Sequence, residues 1–109
     1  MKQMSTPETP VVFHPFGNIG ISISEKVKHL FETKLYAGLL AYLGLRCLEY
    51  NQDLFILLVP EEDTLHVGIL NASYEDLEQL DVKRIATIKE DLNLFYSNQK
   101  IMFVNEIPM

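Results

Sequence analysis

Along the first half of the chain the apolar residues Val27, Leu30, Phe31, Leu35, Leu39 and Tyr42 recur at intervals of three or four, while Lys26, Lys28, Glu32 and Thr33 fall between them. That spacing is the period of an α-helix with one buried face. Ser22 and Glu25 have the capping-box spacing that starts such a helix, the hydroxyl taking a free N–H of the first turn while the carboxylate reaches back to the cap. Beyond Lys34 the polar face is lost, because Tyr36, Ala37, Leu40 and Ala41 are apolar too. Past Gly44 the period changes. "LRCLEY" (45–50), "LFILLV" (54–59) and "LHVGIL" (65–70) are strand-length apolar runs separated by turn formers and charges. They predict a three-stranded antiparallel meander whose middle strand is the most buried.

The stretch "LHVGILNASYEDLEQL" (65–80) then predicts a strand that turns into a helix. Ser73 with Asp76 repeats the capping box, Ala72 with Leu77 forms a staple, and Glu75 and Asp76 suit the positive end of a helix dipole. "VKRIA" (82–86) is a short strand or an extended link. Thr87 with Glu90 opens a further helix, "IKEDLNLFYSN", with Ile88, Leu92 and Phe95 inward, and "KIMFVNEI" (100–107) closes the chain as a strand. Residues 1–21 are expected to form a flexible tail and a loop or loose strand, and residues 22–109 a single domain. The predicted class is α+β: a long first helix, a three-stranded antiparallel meander, two further helices and a C-terminal strand.

Composition narrows the compartment and the partners. A chain of 109 residues with 48% hydrophobic content makes one domain with a real core. One cysteine, Cys47, excludes an internal disulfide, and with no signal-peptide pattern the expected compartment is the cytoplasm. The uncharged apolar run "LYAGLLAYLGL", residues 35–45, is eleven residues; a bilayer needs roughly 20, so no membrane insertion is expected. Charge is lopsided. Residues 1–54 hold five Lys or Arg against five Asp or Glu, and residues 55–109 hold four against ten, so the whole formal charge of −6 lies in the second half. Residues 61–81 carry seven acids and no base. Such a surface repels a polyanion, which excludes nucleic acid as the expected partner.

Candidate chemistry is thin. Glu62, Asp63 and His66 are of metal-ligand type, but neighbours in a turn and strand point in different directions and no second cluster completes a site. "FGNIGIS" sets two glycines before a helix start but lacks the GK[ST] ending of a phosphate cradle. Cys47 has His14, His29 and His66 as conceivable bases, with nothing in the sequence to bring them together. No catalytic residue, cofactor or metal is predicted, and the chain is not expected to be an enzyme.

From Tyr42 to Tyr96, "YLGLRCLEY", "LVPEEDTLHVGILNASYEDLEQL" and "RIATIKEDLNLFYS" resemble the N-terminal regulatory domain of the type II secretion and type IV pilus assembly ATPases. Shared features are an "LGL" segment, a proline before a hairpin, and a final helix ending in an aromatic pair, here Phe95 and Tyr96. The family's proline after the strand is missing at Asn71 to Ser73, and so is its "RLGxxL" repeat, so cyclic dinucleotide binding does not carry over. The chain also resembles the small acidic type III secretion chaperones in its low pI, long first helix and three-strand sheet, which implies homodimerisation.

The functional expectation is a small acidic module that binds another protein, as a subunit, adaptor or chaperone, with a secretion-related role implied by the resemblances. Two surfaces are candidates. One is the far side of the first helix at Tyr36, Leu40 and Leu43, which would make a homodimer or seat a partner. The other is the acidic set Glu61, Glu62, Asp63, Glu75, Glu78 and Asp81, suited to a basic partner. The competing expectation is a ligand-binding or enzymatic domain whose pocket is assembled from residues distant in sequence.

Overall fold

Two hydrophobic periods compete along this chain, and in the computed structural model the period of two prevails after residue 50. The structure describes residues 11–31, 34–84 and 88–107, with the side chains of residues 34–36 outside that set. In chain order the elements are β1 (Phe13–Phe16), β2 (Ile21–Ser24), α1 (Glu25–Leu30), α2 (Lys34–Tyr50), β3 (Leu54–Glu61), β4 (Thr64–Asn71), β5 (Asp76–Lys83), β6 (Leu92–Ser97) and β7 (Lys100–Phe103), then a short 3-10 turn at Val104–Glu106. The strands form one seven-stranded sheet in the order β1-β2-β7-β6-β3-β4-β5. β2 and β7 run parallel, and every other neighbouring pair is antiparallel.

This corrects the expected architecture. The sheet has seven strands instead of a three-stranded meander, and α1 and α2 are the α-helices among the described residues. Residues 13–21, expected as part of a tail and a loop or loose strand, and residues 22–24, expected to start the helix, are a hairpin built into the sheet. Gly17 (φ 56°) and Gly20 (φ 89°) take left-handed conformations in its turn, so the glycines of "FGNIGIS" serve the chain reversal. The helix starts two residues later than expected, at Ser24, whose Oγ accepts from the Val27 N–H at 3.2 Å. The same hydroxyl donates to Glu106 Oε1 at 2.7 Å, tying the end of the described chain to the start of the helix layer.

The "LRCLEY" segment is the last part of α2 rather than a strand. Gly44 does not stop the helix; Asn51 does, in the left-handed conformation (φ 54°) with its N–H on the Cys47 carbonyl at 3.0 Å. Residues 73–80 are not a helix either. The Asn71 side-chain oxygen accepts from the N–H groups of Ser73 (2.9 Å) and Glu75 (3.0 Å), and that local bonding reverses the chain into β5 before a helix can start. The predicted helix over residues 88–98 is instead an irregular stretch at 88–91 followed by strand β6. Leu92, Leu94 and Tyr96 alternate with Asn93, Phe95 and Ser97, and in register they pair with Leu58, Ile56 and Leu54 of β3. Thr87, its expected cap, lies outside the described residues.

Register decides which face is buried. Leu54, Ile56 and Leu58 of β3 share a face with Leu65, Val67 and Ile69 of β4, and all six are at most 2% exposed. Both helices lie on that side: Val27, Phe31, Leu40, Leu43 and Cys47 complete the core. Each such Leu or Ile contributes roughly 1.5–3 kcal/mol by leaving water. α2 comes close enough at Gly44 that a Cβ there would lie 2.4 Å from Ile21 Cδ1.

Candidate functional site: the open face of the sheet

One face of the sheet is covered by the helices, and the alternate side chains of the same strands point the other way. On that second face Phe55 stands opposite Phe95 and Leu70, Leu57 opposite Gly68, Val59 opposite His66, and Phe95 opposite Met102. Neither helix lies over them. Phe55, Leu57, Val59 and Phe95 are half-buried, and Leu70 and Met102 are buried.

The Asn71 turn adds an aromatic ring to this face. Tyr74 is held at φ 62°, a conformation that costs a bulky L-residue on the order of 1 kcal/mol. The turn enforces it: the Tyr74 N–H donates to the Asn71 carbonyl at 2.9 Å, and Asn71 Nδ2 donates to Glu75 Oε1 at 2.9 Å. The result is a ring 68% exposed to solvent and stacked on Phe55, centroids 4.9 Å apart and planes 16° from parallel. Phe55 meets Phe95 at 5.2 Å, so three rings run in a line across the turn, β3 and β6.

Toward β5 the same face turns polar. His66 Nδ1 lies 2.7 Å from Asp81 Oδ1 and Nε2 2.9 Å from Glu61 Oε1. Both ring nitrogens face acceptors, which favours the imidazolium; the bond to Asp81 first, then that to Glu61, raises the His66 pKa above its ordinary value. Beside it, the missing side chain of Gly68 leaves an open hollow of ≈ 250 Å³, walled by Leu57, Val59, Gln79, Asp76 and Asp81.

A second polar cluster sits on the helix side. Glu78 of β5 accepts hydrogen bonds from Tyr42, from Arg46 Nε at 2.8 Å and from Tyr50 at 3.0 Å, and Arg46 also pairs with Glu49 at 2.7 Å. The Tyr42 bond is the largest cause holding the Glu78 carboxyl below its ordinary pKa, and burial opposes it. The same bond raises Tyr42. This cluster pins α2 across β5.

The predicted site residues are scattered by this arrangement. Leu40 (1% exposed) and Leu43 (0%) lie in the core of the single chain, which corrects their expected place on the far side of the first helix. The reason is a break: α1 ends at Leu30 and α2 starts at Lys34, which resets the helical phase and turns Leu40, Leu43, Gly44 and Cys47 inward. The Tyr36 side chain lies outside the described residues. Facing out from α2 are Ala37, Gly38, Tyr42 and Leu45. Among the acids, Glu61 ends β3 and Glu62 and Asp63 form the β3–β4 turn, Glu75 lies at the opposite end of the hairpin, Asp81 on the open face, and Glu78 on the helix side. They do not form one patch.

Cys47 is fully buried on the helix side, and burial above all, with the Glu78 charge second, pushes its thiol up to about 12. His66 is on the other side of the sheet and cannot serve it as a base. His14 stands 3.5 Å from Glu25 at the β1 end, and His29 is exposed on α1. His66 bonds Glu61 and Asp81 rather than gathering Glu62 and Asp63, and no described group of His, Cys, Asp and Glu is placed to hold a metal ion. The rings of the open face were missed because the residues meet across strands; the signal for them was the alternation Leu54-Phe55-Ile56 against Leu94-Phe95-Tyr96.

Comparison with known proteins finds no family, no curated protein and no solved structure that matches this chain. No helix among the described residues is long and apolar enough to cross a membrane.

Proposed function

We propose that the chain is a protein-interaction module, of subunit, adaptor or chaperone type, that receives a segment of another protein on the open face of its sheet. The observation that carries this reading is the aromatic line Tyr74, Phe55 and Phe95 on a face that neither helix covers. Rigid rings lose little conformational freedom on binding, and such residues dominate interface energetics. The strained Tyr74 backbone supports the same reading, since the turn spends free energy to hold a ring in solvent. Asp76 lies level with Phe55 at the start of β5, and Asp81 and Glu61 lie further along the same face around His66, so the segment received would combine apolar with basic residues.

The test starts with capture from the native host, using the intact chain as bait, followed by titration of the purified partner. Tyr74→Ala should weaken the partner about tenfold or more while the circular dichroism and unfolding midpoint stay close to wild type. Equal affinity for the wild type and Tyr74→Ala would exclude the open face as the receiving surface.

A further inference from the structure

The two edges of the sheet are built differently. β1, at one end, has four residues, and Pro15 among them has no N–H to offer. β5, at the other end, has eight residues and no proline, and among the described residues no strand pairs with its outer side. A bulge opposite Ile69 and Leu70 disturbs the start of β5, but from Glu78 to Lys83 its pairing with β4 is regular. The backbone groups facing outward over that run are a template for another strand.

The side chains of β5 specify what such a strand would look like. Leu80 and Val82 point to the helix side and pack on the core, yet remain half-buried at its margin. A neighbouring strand with apolar residues on that side would close the core over them. On the open side β5 presents Asp76, Gln79, Asp81 and, at its end, Lys83, with Glu75 just before it. A second copy of β5 would bring this mostly acidic row against itself, which like-charge repulsion disfavours. A segment with basic residues on that side is complementary.

We infer that the outer edge of β5 is a strand-addition site for an extended segment of another protein in which apolar and basic residues alternate. Main-chain hydrogen bonds to β5 hold the segment, its apolar residues cover Leu80 and Val82, and its basic residues face Asp76 and Asp81. The inference rests on the reading that the chain binds proteins, but it uses the edge rather than the rings.

The experiment uses the intact chain and a peptide of about eight residues alternating valine and lysine, which matches β5 at about 3.4 Å per residue. Its backbone N-methylated counterpart keeps every side chain and loses every donor. The parent peptide should bind, new amide-exchange protection should appear at alternate residues of 76–83, and the N-methylated peptide should bind at least about tenfold more weakly. Equal binding of both peptides would reduce the effect to charge attraction and overturn the proposal, as would no binding of the parent. Protection of the outer β5 amides before any peptide is added, by a second copy or by residues 1–10, would also overturn it. Repeating the titration with Tyr74→Ala separates the two readings: sensitivity to N-methylation that survives this substitution keeps the edge site even where the open face fails.

Discussion

Glu78 and His66 lie on adjacent strands and opposite faces, and they respond to pH in opposite directions. The Glu78 side chain is 17% exposed and receives three donors from α2. Its folded pKa lies below the unfolded value, so its contribution is present above the ordinary carboxylate pKa of about 4.3 and is lost as pH falls through the folded value. Glu78→Gln should therefore destabilise the fold at neutral pH by about 1–3 kcal/mol, with the gap to wild type closing in acid. Urea unfolding at several pH values measures this, and a gap independent of pH would contradict the assignment. His66 has a raised folded pKa, so its contribution is present below about 6.5 and is lost as pH rises through the folded value. In an NMR titration its ring should titrate above 6.5 and fall back in Asp81→Asn. A wild-type value at or below 6.5 would show that the two carboxylates do not act on the ring in solution.

At the scale of elements, α2 contains two glycines with opposite roles. Gly38 is exposed, with nothing within 4 Å of an added Cβ, so Gly38→Ala should stabilise the helix by about 0.5–1 kcal/mol through backbone entropy alone. At Gly44 an added Cβ would meet both Ile21 Cδ1 at 2.4 Å and Ile19 Cδ1 at 3.1 Å, so Gly44→Leu should cost about 1–3 kcal/mol or more. Thermal unfolding of the two variants checks both signs. Gly44 also explains part of what the sequence conceals. A glycine after a helical run suggests a stop, yet here it lets the helix approach Ile21 of β2 closely, and the stop is Asn51. β3 was legible because the six apolar residues Leu54–Val59 in succession leave no helical face, and β4 because Leu65, Val67 and Ile69 keep a period of two. β5 and β6 were not, since Ser73–Asp76 and Thr87–Glu90 mimic helix caps while Leu80, Val82, Leu92, Leu94 and Tyr96 keep a period of two. Pairing with β4 and β3 decides between those signals, and it joins residues far apart in the chain. The candidate site was less legible still. The acids were visible as a run, but register sends Glu78 to one face and Asp81 to the other, and the stacking of Tyr74 on Phe55 depends on the Asn71 turn.

For the molecule as a whole, the arrangement is one helix layer on one face of a sheet, and the two sides of that layer make different demands on the same kind of substitution. Leu40 lies at 1% exposure between α2 and the sheet, whereas Leu45 on the outer side of α2 is 51% exposed. A carboxylate at position 40 would have to enter a core that offers no cationic partner among its buried members, a cost of several kcal/mol against a total stability of about 5–15 kcal/mol. Leu40→Glu should therefore abolish the folded state, and it cannot report on assembly. Leu45→Glu should keep the fold, with a stability change within about 0.5 kcal/mol. If α2 carried the homodimer interface, the outer side with Tyr42 and Leu45 would be its surface, and Leu45→Glu would turn a dimer into a monomer in sedimentation. If partners arrive on the sheet, the sedimentation of wild type and Leu45→Glu should be identical and partner capture unchanged. A folded Leu40→Glu protein would contradict the core described here, and a shift in oligomeric state on Leu45→Glu would move the interaction surface from the sheet to the helix.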